Sequence, residues 1–528
     1  MILLRNLVLS PDRLPDLPAL AARELHVPKE DLLSCRLVRR SLDARKKDRI
    51  RYVCSLAVEL RAEEKFLRRN RNPNVSLYDP PVYSIPSLSS ENRPVIVGFG
   101  PAGMFAGLVL ALAGLRPIIL ERGQDALTRR ERITAFQAGG ALDPENNVQF
   151  GEGGAGTFSD GKLNTGTHDR RISWVLEQFR LHGAPESVLY DAKPHIGTDI
   201  LIDVVQNIRR KILALGGEIR FGTRMTELIL EDGVLCGLKY TDSSGQRELR
   251  CTQLILAIGH SARDTVSALF AQGIPMERKP FAMGVRIEHR QTDIDLAQYG
   301  RPRGTLPPAD YSLHIHLPDG SSAFTFCMCP GGQVFAAASE EGGVVTNGMS
   351  YSARDGENAN AALLVGLSPE DFPGEGVLAG MFWQRELEQA SFRLSGSYRA
   401  PAQLVGDFLS CRPSTGPGSV SPSYRPGVVW TDLHGLLPVK ICSTLEKAIP
   451  ELGKLLAGFD SPDAVLTGPE TRSSSPVRIL RDKSFSSAIR GLYPCGEGAG
   501  YAGGITSAAV DGMRCAEAVM KALAVDDS

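Results

Sequence analysis

The sequence predicts an α/β fold: a Rossmann-like dinucleotide-binding domain, split by an inserted, mixed and largely antiparallel domain and preceded by a small βαββ module. Three observations predict it. Residues 94 to 122 read as strand, glycine turn, helix, strand and terminal acid. An apolar run, Leu254 to Ile258, closes on Gly259 and re-enters a parallel sheet. Near the end of the chain, Gly496-Glu497 precedes a helix opened by Gly503-Gly504-Ile505.

The first 75 residues have their own pattern. Leu3 to Leu9 reads as a strand and Leu17 to Leu25 as a short helix. Cys35 to Leu42 and Ile50 to Leu60 read as two strands around the charged turn Asp43 to Asp48. Basic residues outnumber acidic ones here, with Arg36, Arg39, Arg40, Arg45, Lys46, Lys47, Arg49 and Arg51 clustered. The cluster is either a surface for RNA or another anionic partner, or the solvated face of a hairpin. Arg68 to Pro86, rich in Arg, Asn and Pro, serves as linker, because proline at this density suits neither helix nor central strand. Residues 76–92 are assigned to that connection.

From residue 93 the dinucleotide pattern begins. Val95-Ile96-Val97 is a buried strand. Gly98 permits the tight turn, Gly100 lets the backbone approach a pyrophosphate, and Gly103 lets the helix pack on the strand. Pro101 and Ala102 open the helix, whose unpaired N–H groups and dipole favour an anion. Glu121, followed by Arg122, ends the second strand about 20 residues after the glycines, where it can accept from both ribose hydroxyls. A carboxylate there disfavours a 2′-phosphate.

A second glycine cluster runs from Gly151 to Leu163. Its successive glycines can cradle an anion or let a planar ring lie against the main chain. Gly153, Gly154, Gly156 and Thr157 are the candidates for cofactor contact, with a flexible turn as the alternative. Short strands follow at Met225 to Leu230 and Val234 to Tyr240, and then the strand ending at Ala257 and Gly259, placed on the cofactor side. The first part of the cofactor domain thus spans 93–272.

Residues 273–469 are richer in Gly, Pro and Ser. Strand-like runs occur at Met283 to His289, Tyr311 to Leu317, Ala323 to Cys329 and Val334 to Ala338, and a helical tract begins at Leu452. This reads as the inserted substrate or cap domain. Residues 470–528 complete the cofactor domain with the strand at Leu492 to Cys495 and a helix from Thr506 to Leu523.

Bulk properties exclude little. At 528 residues the chain has room for two to four domains, and a formal net charge of -1 exerts no global pull on nucleic acid or acidic membrane. Ten cysteines are scattered without CxxC or metal-ligand spacing, so no disulfide scaffold or zinc module is expected, and no metal site. The N-terminus lacks a signal-peptide pattern, and no run of about 18 uncharged apolar residues occurs. The expectation is a soluble, cytoplasmic protein with no membrane partner.

The 98 to 121 fingerprint paired with Gly496-Glu497 and a Gly-Gly-Ile helix start is similar to the FAD-binding fold of the glutathione-reductase type. More closely, Gly151 to Leu163, Phe326 to Gly332, Gly468 to Arg478 and Tyr493 to Asp511 resemble a bacterial and plastid family of FAD-dependent dehydrogenases, the FAD-dependent proteins. The likeness covers nearly the whole chain. It implies that Gly98, Gly100 and Gly103 hold the FAD pyrophosphate and Glu121 the adenosine ribose. Gly496 and Glu497 match a place that usually carries Gly-Asp, and the longer Glu shifts that contact. Gly504 and Ile505 match the helix start near flavin N1 and O2, where partial positive charge stabilises reduced flavin.

The implied activity is an FAD-dependent oxidoreductase moving a hydride or electron pair between an organic substrate and a second redox partner. No second GxGxxG unit is present, which disfavours a separate nicotinamide domain; NADH or NADPH would bind transiently over the flavin. Alternatives are a flavin monooxygenase, an RNA-associated flavoprotein using the basic module, and a non-catalytic FAD-bound scaffold.

Several side chains are candidates for chemistry. Cys327 and Cys329, alternating through Met328, share one face of a strand as a redox pair or as buried structural thiols. Lys162, Arg286, Glu288 and His289 bind an anionic substrate or move protons, or Arg286 and Glu288 are simply a solvated strand face. His260 is either an acid or base beside the flavin or a structural histidine.

Overall fold

The structure is a computed structural model that describes residues 1–11, 16–80 and 82–526. Residues 12–15, within the N-terminal module, and residue 81, within the expected linker, lie outside the described residues.

The N-terminal module is a four-stranded antiparallel sheet in the order Leu32–Asp43, Arg51–Leu60, Ile2–Leu9, Val75–Leu77. Alternating apolar residues of the central strands, among them Leu4, Leu56 and Val58, close a core under the helix Leu17–Leu25. The sequence reading missed the fourth strand. Val75–Leu77 falls at the start of the proline-rich stretch, yet it pairs with Ile2–Leu4, because the edge of that sheet leaves backbone groups to satisfy. Arg40 ties the module to the body. Its backbone bonds reach Tyr190 and Ala192, and its guanidinium pairs with Asp191 at 2.7 Å.

The cofactor domain is built on a five-stranded parallel sheet in the order Leu492–Pro494, Leu254–Leu256, Val95–Val97, Ile118–Leu120, Glu218–Arg220. Helix Pro101–Leu112, apolar nearly all round, is sandwiched between this sheet and helices Thr198–Ala214 and Ile505–Asp526. Close packing needs glycine here: a Cβ on Gly512 would stand 2.0 Å from the Ala102 carbonyl oxygen. A three-stranded antiparallel sheet, Arg224–Glu231, Val234–Asp242 and Gly245–Arg250, adjoins the parallel sheet through a shared apolar cluster.

The strands between Phe281 and Glu470 form a large sheet, antiparallel except for the parallel edge pair Ala400–Leu404 and Val428–Trp430, with Phe281–Arg290 and Asn358–Leu367 at its centre. Differences from the sequence reading are local. Ala323–Cys329 and Val334–Ala338, expected as two strands, belong to one long bulged strand, Ser322–Ala336. The helix expected from Leu452 begins at Val439 and ends at Leu455, its apolar face buried on the sheet. Arg286, Glu288 and His289 are not a solvated face, because both sides of their central strand are covered. Among the described residues no helix is long and apolar enough to cross a membrane.

Candidate functional site

A cavity of about 440 Å³ lies where the carboxyl ends of the parallel strands meet the antiparallel sheet. Much of its wall is bare backbone. Gly98 adopts φ 99°, and a Cβ there would stand 2.3 Å from the Ala257 carbonyl oxygen. Gly154, at φ 60°, faces Gly100 so closely that a Cβ would lie 2.9 Å from its Cα. Around Gly259, Gly503 and Gly504 a Cβ would meet nothing within 4 Å. Two helices begin on this wall. Pro101–Leu112 follows Gly100 with no side-chain cap, and Ile505–Asp526 follows Gly504. First-turn N–H groups have no partner within their helix, so both starts suit anionic or electron-rich groups.

Most sequence-predicted cofactor residues line this cavity: Gly98, Gly100, Pro101 and Ala102 from the fingerprint, Glu121 and Arg122 after the second strand, and Gly154 and Gly156 from the glycine cluster. Ala257, Gly259, Glu497, Gly504 and Ile505 complete the set. Gly103 is the packing position its motif predicts rather than the pyrophosphate contact the resemblance implied, since a Cβ would stand 1.9 Å from the Gly98 carbonyl oxygen. Gly153 and Thr157 lie behind the wall. A Cβ on Gly153 would strike Thr157 Oγ1 at 1.9 Å, and that hydroxyl donates to the Glu152 carbonyl. Gly496 also faces inward, its N–H donating to Asp511 at 2.7 Å while Arg481 pairs with the same carboxylate.

Glu121 is more committed than expected. Oε1 accepts from the Gly123 and Gly151 N–H groups, each at 2.9 Å, and Oε2 accepts from the Phe99 N–H at 2.8 Å. A carboxylate oxygen offers two lone pairs, so one position remains, enough for one ribose hydroxyl rather than both. The three backbone bonds tie both glycine loops to the second strand. Arg122 is likewise engaged, donating to Glu145 and Asp264 over the Phe150 ring at 4.0 Å.

Of the catalytic candidates, Lys162, His260 and Cys327 reach the cavity. His260 Nδ1 lies 3.0 Å from Glu497 Oε1, and its Nε2 is buried without a partner. The Lys162 ammonium is 3.9 Å from Asp160, whose carboxylate is taken by Arg354 and Ser350. Two candidates do not reach it. His289 is buried with Nε2 2.8 Å from the Phe459 carbonyl oxygen, and burial lowers its pKa to about 4. Cys329 is buried behind Cys327. The expected alternation of the pair fails because the strand bulges between Phe326 and Cys329, with Cys327 at φ 43°.

A polar network whose connections the sequence reading did not supply runs along and behind the wall, with Glu470 and Arg472 lining the cavity. Arg286 donates to Glu470 at 3.0 Å, to Asn347 at 2.8 Å and to the Cys327 carbonyl at 2.9 Å. Glu388 is buried between Arg263 and Arg472, 2.8 Å and 2.7 Å away. Burial works to raise the Glu388 carboxyl, but the two guanidiniums override it and hold it well below the usual range. No motif joins these partners to one another, since Arg472 and Glu388 are 84 positions apart and Arg354 and Asp160 are 194 apart.

The arrangement fits FAD. A pyrophosphate would meet the uncapped start at Pro101, an adenosine ribose the free position on Glu121, and a flavin ring the bare backbone at Gly259, Gly503 and Gly504. Cys327, Lys162, His260 and Arg472 stand on the walls around them.

Comparison with known proteins agrees. Residues 280–473 match the model for the FAD-dependent protein, C-terminal domain-like, and residues 1–59 match a domain of unknown function. An uncharacterized protein of Clostridium beijerinckii is 46% identical over 509 residues, spanning 94% of both chains. Among solved structures, a geranylgeranyl bacteriochlorophyll reductase-like protein of Thermoplasma acidophilum aligns over 83% of this chain and 79% of its own. Its identity is 14% and its TM-score 0.37. A glycerol-3-phosphate dehydrogenase of Bacillus halodurans, complexed with FAD, aligns over 82% and 64%, with 11% identity and a TM-score of 0.35. Superpositions this loose say nothing of reaction or substrate. With its antiparallel domain matched by that family model and a relative aligned along almost its whole length, the chain belongs to the FAD-dependent protein family.

Proposed function

We propose that the protein is an FAD-dependent oxidoreductase that moves a hydride or electron pair between an organic substrate and a second redox partner. The observation that carries this reading is the juxtaposition of a backbone-lined cofactor trough with ionisable side chains on its walls. A non-catalytic scaffold has no use for Lys162, His260 and Cys327 at the same cavity.

When bound, FAD supplies two-electron chemistry. The protein's part is to orient and to manage charge and protons. The helix start at Pro101 would hold the pyrophosphate, and the start at Ile505 would offer partial positive charge to the flavin. Glu497 favours a proton on His260 Nδ1, leaving the Nε2 lone pair to accept a substrate proton. Lys162, loosely paired at 3.9 Å, attracts an anionic group such as a carboxylate. The other wall cations are closely matched, Arg472 by Glu388 at 2.7 Å and Arg122 by Glu145 at 2.7 Å.

The electron donor is an organic hydride donor or a reduced nicotinamide resting transiently over the flavin. Anaerobic mixing of the flavin-loaded protein with NADH, NADPH and a panel of metabolic hydroxy and amino acids tests the reading. Bleaching of the flavin absorbance by at least one of them is expected; a fully loaded protein that none of them reduces would sink it.

A further inference from the structure

We infer that Cys411, His434 and Glu446 form a binding site for a divalent transition-metal ion of the zinc type, on the antiparallel domain and apart from the cofactor cavity.

Geometry carries it. The Cys411 sulfur, a ring nitrogen of His434 and a carboxylate oxygen of Glu446 all lie within 4.8 Å of one another. His434 Nε2 is 2.7 Å from Glu446 Oε1, and Cys411 Sγ is 3.9 Å from the same oxygen. A tetrahedral zinc ion, with bonds of about 2.3 Å to sulfur and about 2.0–2.1 Å to nitrogen and oxygen, sets its ligand atoms roughly 3.3–3.6 Å apart. Closing these three atoms on an ion takes shifts of about 1 Å, within reach of the exposed Cys411 side chain. Three separate segments supply them: Cys411 lies in the turn after the short helix Val405–Leu409, His434 in the 3₁₀ turn Leu433–Gly435, and Glu446 within helix Val439–Leu455. No motif announces the set, because Cys411 precedes Glu446 by 35 residues and His434 precedes it by 12.

The histidine is oriented in advance. Asp432 Oδ1 lies 2.8 Å from His434 Nδ1 and accepts the His434 backbone N–H at 3.0 Å, while the ring stacks on Phe408 with centroids 4.4 Å apart. A carboxylate at Nδ1 keeps the proton on that nitrogen and turns the Nε2 lone pair toward Glu446, the usual support of a metal-bound histidine. A lone pair and a carboxylate rest 2.7 Å apart only with a proton or a cation between them. A second ring proton would meet that need, but it would leave the Cys411 sulfur beside the pair without a use. A borderline-soft ion uses all three ligand types.

Charge balances as well. On binding, the Cys411 thiol and any proton between His434 and Glu446 are released to solvent, and the thiolate and carboxylate cancel the two charges of the ion. Neighbouring cations are already engaged, Arg412 by Asp407 at 2.6 Å and Lys447 by Asp319 at 2.7 Å. Three protein ligands leave a fourth position for water. None of the three lines the cofactor cavity, so the ion clamps the turn at Cys411 to the long helix and takes no part at the flavin.

The test uses the full-length, flavin-loaded protein, dialysed against a chelator, then against metal-free buffer, and titrated with Co²⁺, whose ligand-field bands lie to the red of flavin absorbance. Intense bands of tetrahedral cobalt are expected, saturating at one ion per chain and erased by equimolar Zn²⁺. C411S and H434Q should each weaken binding roughly tenfold or more, with flavin content unchanged. A measurement independent of the variants is alkylation of the native protein by iodoacetamide, read from the mass of the peptide containing Cys411. That exposed thiol should react several-fold more slowly with Zn²⁺ present. If tetrahedral bands are missing and Cys411 reacts equally fast with and without Zn²⁺, the site is overturned and His434 and Glu446 are a proton-bridged pair. Cobalt binding that survives both variants would place the ion elsewhere and overturn the site equally. Either result leaves the oxidoreductase reading untouched.

Discussion

His260 Nδ1 stands 3.0 Å from Glu497 Oε1, although one follows the strand Leu254–Leu256 and the other the strand Leu492–Pro494. The two strands are parallel neighbours, with Leu256 opposite Pro494, so residues a few positions past each strand end arrive at one corner of the cavity. If His260 accepts a proton during flavin reduction, H260N should bind FAD normally and slow anaerobic reduction by about 10²-fold. E497Q should slow it less, since the accepting ring nitrogen stays in place. Stopped-flow reduction checks this: an unchanged rate in H260N at full flavin content would remove His260 from the chemistry.

Flavin retention should depend on the facing glycines. Gly154→Ala puts a Cβ 2.9 Å from Gly100 Cα at a residue held at φ 60°. Left-handed backbone costs a non-glycine residue roughly 1–2 kcal/mol, and the clash narrows the trough at the pyrophosphate position. The variant should fold, with an unaltered far-ultraviolet circular dichroism spectrum, and purify with much less flavin per chain. Full flavin content would show that the trough tolerates the side chain.

The Glu388 network should govern acid stability. Because Arg263 and Arg472 hold the folded carboxyl far below its usual value, its stabilisation is complete above the unfolded range near pH 4.3 and is lost as pH falls below it. Glu388→Gln leaves two buried guanidiniums with only the part-exposed Glu340 to share, 2.8 Å from Arg263 and 3.8 Å from Arg472, a loss approaching about 3 kcal/mol by analogy with other broken buried pairs. Thermal melts from pH 7 down to pH 3 should show a strongly lowered melting temperature at neutral pH and a shallower decline with acid. A variant that melts with the natural protein would refute the role.

The N-terminal module should loosen when its tether is cut. Arg40 pairs with Asp191 at 2.7 Å and lies over the Tyr52 and Tyr190 rings, with its side chain about a quarter exposed. Partly exposed pairs contribute up to roughly 1 kcal/mol, so Asp191→Ala should leave overall stability nearly unchanged. Amide exchange should speed up along Leu32–Asp43 and at Tyr190 to Ala192, with flavin content constant. No change in exchange there would place the docking elsewhere.

Legibility followed the range of the interactions. The strand Val95–Val97, its glycine turn and Glu121 were readable because their signals lie within 30 consecutive residues, each set by backbone conformation or hydrophobic period. Val75–Leu77 was not, because proline-rich surroundings hid a strand that exists only to complete an edge. Gly103 packs its helix as the motif predicted, and only the family resemblance drew it to the pyrophosphate; Gly153 was read as a cofactor contact because a glycine cluster does not distinguish a glycine that meets a ligand from one that meets its own chain. His289 was drawn into the site by its type alone; its central strand points it at Phe459.

By itself the sequence determined the cofactor fold and the segments that form its trough, because local glycine geometry and apolar periodicity specify strand, turn and helix without reference to distant residues. Tertiary structure alone decided which side chains share the cavity. The meeting of His260 with Glu497, the burial of Glu388 between two arginines, and the bulge that sets Cys327 before Cys329 all depend on strand register and sheet packing. Those are long-range properties: a one-residue change of register reverses which face a side chain takes, and nothing within the local pattern records it.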